Sequence, residues 1–198
     1  MLRINLKDCP FYDRFMATSK TGSFYLTETI TLPAGSAANT RVSSAIDLGA
    51  YVNVATGQAV AIESVDVVYQ SGGDYIQFLS NFLAGDGSIS YQLADLNPGG
   101  KFFRADNQSL VASGAINIDD SANLATISAD LYPDNFGPAA VSEAFMVVND
   151  ALYLTAGNNG SDIGGGDLYV TARIKCRIVK LGSKDWMAIA IQSTASDN

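Results

Sequence analysis

The chain has 198 residues, of which 47% are hydrophobic and 16% charged, with a formal net charge of −8 and no histidine. That length suits one domain burying roughly 70% of its unfolded surface, and no run approaches the ~20 apolar residues of a membrane-spanning helix. The missing histidine excludes Ser-His-Asp and Cys-His catalysis and histidine-held metals. The acidic balance excludes a nucleic-acid binder that uses its whole surface.

The first segment, Met1 to Met16, is interrupted by Arg3, Lys7, Asp8, Asp13 and Arg14 and has no apolar run of a secretory signal. It reads as an N-terminal arm, residues 1–20, ahead of a body at 21–198, and points to synthesis in a cytoplasm. Phe11, Tyr12, Arg14 and Phe15 are the arm residues expected to contact a neighbour, because the arm has no core of its own to enter. Cys9 and Cys176 match no metal-ligand spacing. Whether they bond is open in the sequence.

Turn signals punctuate the whole body, from Lys20-Thr21-Gly22 to Gly182-Ser183. The segments between them are rich in β-branched and aromatic residues, as strands are. Phe24–Leu32 is the first. Val60–Tyr69 alternates imperfectly, which predicts a bulge near Ser64. Asp74–Leu83 has apolar residues at helical spacing, with Asp74 and Gly85 as cap and stop, yet reads equally well as a strand. Gly87–Leu93 carries Ile89, Tyr91 and Leu93 on one face. Leu110–Ile118, Leu124–Leu131, Phe145–Val148 and Ala151–Thr155 are further strands, and Ala139–Phe145 is a weak helix candidate.

The loop Gly157–Asp167 partly echoes the glycine-aspartate repeat of calcium-binding β-rolls, but Gly164 replaces the apolar residue and no second repeat follows. A surface loop is the simpler reading, so no metal or cofactor is assigned.

The end of the chain is the most distinctive part. Five of the twelve basic residues, Arg173, Lys175, Arg177, Lys180 and Lys184, fall within twelve positions, and the first three alternate with apolar residues. A strand turns successive side chains to opposite faces, so one face is expected to enter a core, Cys176 included, and the other to be positive and outward. Residues 21–172, by contrast, hold only Arg41, Lys101 and Arg104 against sixteen acidic residues. Arg173→Glu with Arg177→Glu is accordingly expected to spare the fold and block assembly. Leu168–Leu181 and Trp186–Gln192 form a predicted hairpin around Gly182-Ser183, with Met187, Ile189 and Ile191 on its core face.

About ten strands joined by turns, with little helix, predict an all-β antiparallel β-sandwich: a single jelly roll of about eight core strands with an N-terminal arm. Glu28, Glu63 and Glu143 are the acids that a two-carboxylate glycosidase would need, but they sit beside strand-forming runs with no signature around them. They read as solvent-facing acids, and the chain is expected not to be an enzyme, with no catalytic residues and no small-molecule substrate.

The mixed-charge arm, the strand-dense body, the run Leu48-Gly49-Ala50-Tyr51-Val52 leading into Gly57-Gln58-Ala59-Val60-Ala61-Ile62, and the closing strands 168–192 together resemble single jelly-roll capsid proteins of tailless icosahedral viruses. The resemblance implies a structural virion protein, a self-assembling subunit of an icosahedral shell, made in a host cytoplasm and located in the virion. Its partners would be copies of itself, with room for a second capsid protein and for non-specific contact with a genome or internal membrane. The basic strand then serves as a polyanion-facing wall, a socket for an acidic neighbour, or a plain solvated face. The rival readings are a carbohydrate-binding or adhesive β-sandwich, using Trp186 and exposed tyrosines as sugar platforms, and a tail-tube protein.

Overall fold

A computed structural model describes residues 17–73, 78–129 and 144–195. The described residues form ten strands: β1 (Thr18–Ser19), β2 (Phe24–Leu32), β3 (Arg41–Asp47), β4 (Gln58–Ser71), β5 (Gly87–Ala94), β6 (Leu110–Asp119), β7 (Leu124–Ala129), β8 (Phe145–Val147), β9 (Ala151–Asn159) and β10 (Leu168–Lys180). Two helices join them, α1 (Leu79–Phe82) and α2 (Ser183–Ala195).

All pairings are antiparallel and fall into two sheets. In one, β10 lies between β4 and the β2 edge, and β8 closes the far side; in the other the order is β3-β9-β5-β6-β7. The short β1 continues the β2 edge, and β7 is an appended strand. Among the remaining eight, in chain order, one sheet runs first-eighth-third-sixth and the other second-seventh-fourth-fifth. Chain neighbours therefore alternate between sheets, except for the β5–β6 hairpin within one sheet, as in two interlocked Greek keys. This is the jelly-roll β-sandwich expected from the sequence.

Period-2 alternation explains the core. Ile30 and Leu32 of β2, Val60 and Ile62 of β4, and Val170, Ala172, Ile174 and Cys176 of β10 face Ile89, Tyr91 and Leu93 of β5 and Leu152, Leu154 and Ala156 of β9. These side chains are buried, at 7% exposure or less. Aliphatic burial of this kind contributes about 25 cal/mol per Å² removed from water. Cys176 is a free thiol within this layer, as its alternation predicts.

Three expectations need revision. Trp186–Gln192 is not a strand but part of α2. A hairpin partner would need a free edge at the end of β10, and both edges there are taken, one by β1, which continues the β2 edge, and the other by β4. Deprived of an edge, an alanine-rich segment takes the conformation that satisfies its own backbone. Its face assignment changes with it. Ile189 packs inward together with Trp186 and Ala190, while Met187 and Ile191 stay 65% and 64% exposed. Secondly, Arg41–Asp47 is a strand that the sequence reading passed over; its Ser43-Ser44 pair lacks β-branching, and its pairing with β9 supplies the order. Thirdly, the strand reading of Ala151–Thr155 extends to Asn159, so Gly157–Asn159 belong to β9 rather than to a loop. Of Asp74–Leu83, the described part ends in the single helical turn α1. The weak helix candidate at Ala139–Phe145 falls outside the described residues up to 143, and Phe145 opens β8.

Candidate interaction surface

The outward face of β10 is built around one carboxylate. Pairing between β10 and β4 shifts register opposite Lys175/Cys176, so Glu63 is the extra residue of a β-bulge, next to the predicted Ser64. A bulge re-aims side chains, and here it lays Glu63 beneath the basic row. Arg177 Nε lies 2.7 Å from one Glu63 oxygen and Lys175 Nζ 3.4 Å from the other. The Ser23 hydroxyl donates to the same carboxylate at 2.9 Å. Glu63 is only 8% exposed and the Arg177 side chain 14%. Glu63 is thus no solvent-facing acid, and it offsets one of the two positive charges in the middle of the row.

Arg173 stands higher on the same face, with its guanidinium 5.6 Å from the Tyr25 ring centroid and Asp66 as its cross-strand neighbour. It remains exposed. One face of the Tyr25 ring thus carries a cation, while the residue stays 54% exposed. Cys176, on the opposite face of the strand, has its thiol pushed up to about 12 by burial and secondarily by Glu63. It is no nucleophile.

Lys180 and Lys184 belong to a second group of cations. Lys180 pairs across the ladders with Thr18 and Gln58, and Lys20 Nζ reaches the Gln58 side chain at 3.4 Å. Lys184 follows in the first turn of α2. All three lysines are exposed, gathered where β10 ends. The basic residues singled out in the sequence therefore divide into a partly compensated strand face and a solvated lysine rim. Phe11, Tyr12, Arg14 and Phe15 lie outside the described residues.

α2 lies over the outer side of the β4–β10 sheet. Trp186, Ile189 and Ala190 pack on a small cluster of Ala59, Ala61, Val148, Val179 and Leu181. Trp186 is thus occupied with packing. The helix is latched at its far end: the Ser193 hydroxyl donates to Asp95 Oδ2 at 2.9 Å, and Asn149 Nδ2 donates to the Ser193 oxygen at 3.0 Å. Asp95 is 3% exposed, and burial raises its pKa above the ordinary carboxylate range against the lowering effect of its hydrogen bonds.

The opposite end of the sandwich is acidic. Asp86, Asp119, Asp120, Asp162 and Asp167 are all exposed there. Asp162 and Asp167 accept hydrogen bonds from the backbone N–H groups of Ala38 and Ala34. Ile163 exchanges backbone bonds with Gly35 and Ser36 and is buried. The 160–167 segment is zipped onto its neighbours by these bonds, and its two aspartates serve as caps. Among the described residues no cluster of three or more His, Cys, Asp or Glu side chains is placed to hold a metal.

One shallow groove of about 330 Å³ crosses the outer side of the other sheet, lined by Ser90, Gln92, Phe102, Ser113, Ala115 and Ser128 among others. Gln92 is already spent on the Phe103 backbone, and the Phe102 ring is stacked by Arg41 at 4.6 Å.

No protein-family model matches the chain, and no curated protein matches it. Among solved structures, it is similar to Trichodysplasia spinulosa-associated polyomavirus VP1, at 9% identity and a TM-score of 0.40, over 78% of this chain and 95% of that one. A Mud Crab Dicistrovirus structure matches at 14% identity and 0.38, covering 82% and 70%. Desmodium yellow mottle tymovirus matches at 6% identity and 0.32, covering 82% and 90%. The resemblance to viral capsid proteins is architectural.

Proposed function

We propose that the chain is a structural virion protein, a self-assembling subunit of an icosahedral shell, with no catalytic role. The observation that carries this reading is α2. Its inner side is committed to the sandwich, yet Met187 and Ile191 leave an apolar outer side 64–65% exposed. Two large apolar side chains held on the solvent side of a packed helix form the kind of exposed apolar spot that interaction surfaces carry. The high net charge of −8 supports the reading from the other direction, since it keeps copies apart until a specific contact forms. The arm, residues 1–20, with Phe11, Tyr12, Arg14 and Phe15, is assigned to contacts between subunits. Contact with a genome, an inner membrane or a second capsid protein would come through the exposed cations. Virion localisation follows from the same reading.

The lectin-like alternative loses Trp186, which is packed against the sheet, and the aspartates of the 160–167 segment cap backbone, so it keeps only exposed tyrosines such as Tyr25. Mass photometry and negative-stain microscopy across protein and salt concentration test the proposal. Closed particles of discrete mass are expected. A chain that stays monomeric under every condition, with its own arm intact, refutes self-assembly.

A further inference from the structure

We infer that copies of this chain meet head to tail: the lysine-headed outer stripe of α2 in one copy seats on the aspartate-rich end of the next. The inference rests on the self-assembly reading and names the surfaces that carry it.

The first surface is a stripe. Lys184, Met187, Ala188 and Ile191 are spaced i, i+3, i+4 and i+7, which is one side of a helix, and all four are exposed. Lys20 and Lys180 extend its charged head through their shared neighbour Gln58. The second surface combines the same two ingredients with opposite sign. Asp119 sits across the ladder from Leu124, which is 54% exposed. Asp86 Oδ1 accepts from the Asp120 N–H at 2.8 Å, which holds the loop before β5 against the β6–β7 turn. Asp86, Asp119 and Asp120 thus form one acidic rim beside one apolar side chain.

The two surfaces lie at opposite ends. β10 starts just after Asp167, at the acidic end, and finishes at Lys180. Its length of 13 residues spans roughly 40 Å at ~3.3 Å per residue. One copy therefore cannot satisfy its own patches. A two-fold contact centred on either patch would set lysines against lysines or aspartates against aspartates, and like charges facing one another across an interface cost several kcal/mol. The heterologous contact pairs opposite charges and covers Met187, Ile191 and Leu124 together. Such contacts close into rings when the rotation between copies allows.

The test is a charge exchange on the full chain. Lys180→Glu with Lys184→Glu alters two exposed residues, so its melting temperature should match wild type. The protein concentration at half-assembly should rise about tenfold or more. Asp119→Lys with Asp120→Lys should raise it likewise, with a lower melting temperature because Asp119 Oδ1 accepts from the Ser121 hydroxyl and the Ala122 N–H. Combining all four substitutions in one chain, or mixing the two double variants, should bring assembly back to within about threefold of wild type. A wild-type chain that never assembles overturns this inference together with the shell reading. A wild type that assembles and ignores the exchange, or a four-fold variant that stays as defective as its parents, overturns the pairing alone. A lysine variant that assembles normally but loses retention on heparin assigns the rim to a polyanion and equally overturns the pairing.

Discussion

Glu63→Ala offers the sharpest test of the physical reasoning, because one carboxylate serves three groups. Removing it leaves the Arg177 guanidinium, 14% exposed, without its partner at 2.7 Å. Breaking a buried pair from one side costs about 3–5 kcal/mol, and Arg177 retains enough water contact to sit at the lower end, about 3 kcal/mol. Lys175 is 40% exposed and loses its 3.4 Å contact to solvent screening, which adds at most ~0.5 kcal/mol. The Ser23 hydroxyl is exposed to water and re-solvates. The sum, about 3 kcal/mol, predicts a melting temperature lower by roughly 6–12 °C for a domain of this size. Differential scanning calorimetry reads it directly. Glu63→Met with Arg177→Met should recover most of the loss, since an apolar pair of similar volume replaces a buried ion pair at little net cost. A Glu63→Ala protein melting within about 2 °C of wild type would mean that the site behaves as an ordinary surface pair, and the bulge argument would fail. The same geometry revises the expectation for Arg173→Glu with Arg177→Glu. The Arg173 change should be tolerated, whereas Arg177→Glu sets a second carboxylate against Glu63 and should destabilise the fold.

The remaining predictions concern the helix latch, the thiol and a close backbone approach. Burial raises the Asp95 pKa in the folded state, so the native protein holds that proton more tightly than the unfolded chain does. Its contribution is favourable below the ordinary carboxylate range and is lost as pH rises through the raised value. Asp95→Asn should therefore gain stability relative to wild type between acid and neutral pH, measured as the difference in melting temperature across that range; a constant difference would refute it. In a Cys9→Ser background, Cys176 should resist an aromatic disulfide reagent at pH 8 and react on addition of denaturant, because its thiol is buried and pushed up to about 12. Rapid native labelling would place Cys176 outside the core. Gly164→Ala should cost about 2 kcal/mol or more, since the new methyl would run into the Ser80 carbonyl and the Asn81 backbone. Gly73→Ala, with open space around it, should change stability by less than about 0.5 kcal/mol in chemical denaturation.

Local pattern was enough for much of the sandwich. Alternation in β10 identified which residues enter the core, Cys176 among them, and in β5 it put Ile89, Tyr91 and Leu93 on the one face that does, because a strand's two-residue period is written directly in its side chains. The uneven spacing around Ser64 marked the bulge for the same reason. What the bulge does was beyond reach of the sequence. Glu63 meets Arg177 across 114 positions of chain, and no local pattern encodes which carboxylate a distant arginine will find. The basic row accordingly read as a uniform positive face, whereas tertiary pairing divides it into a partly compensated strand and a lysine rim. The segment after Gly182 read as the second strand of a hairpin, although Trp186-Met187-Ala188-Ile189-Ala190-Ile191 is apolar at strand and helix spacing alike. Edge occupancy decided it: β10 sits inside its sheet, so the following residues had no strand to pair with and became α2. Periods are local properties, and the sequence determined them. Edges, partners and the ends at which charges collect depend on how the two sheets close on each other, and only the tertiary structure decided those.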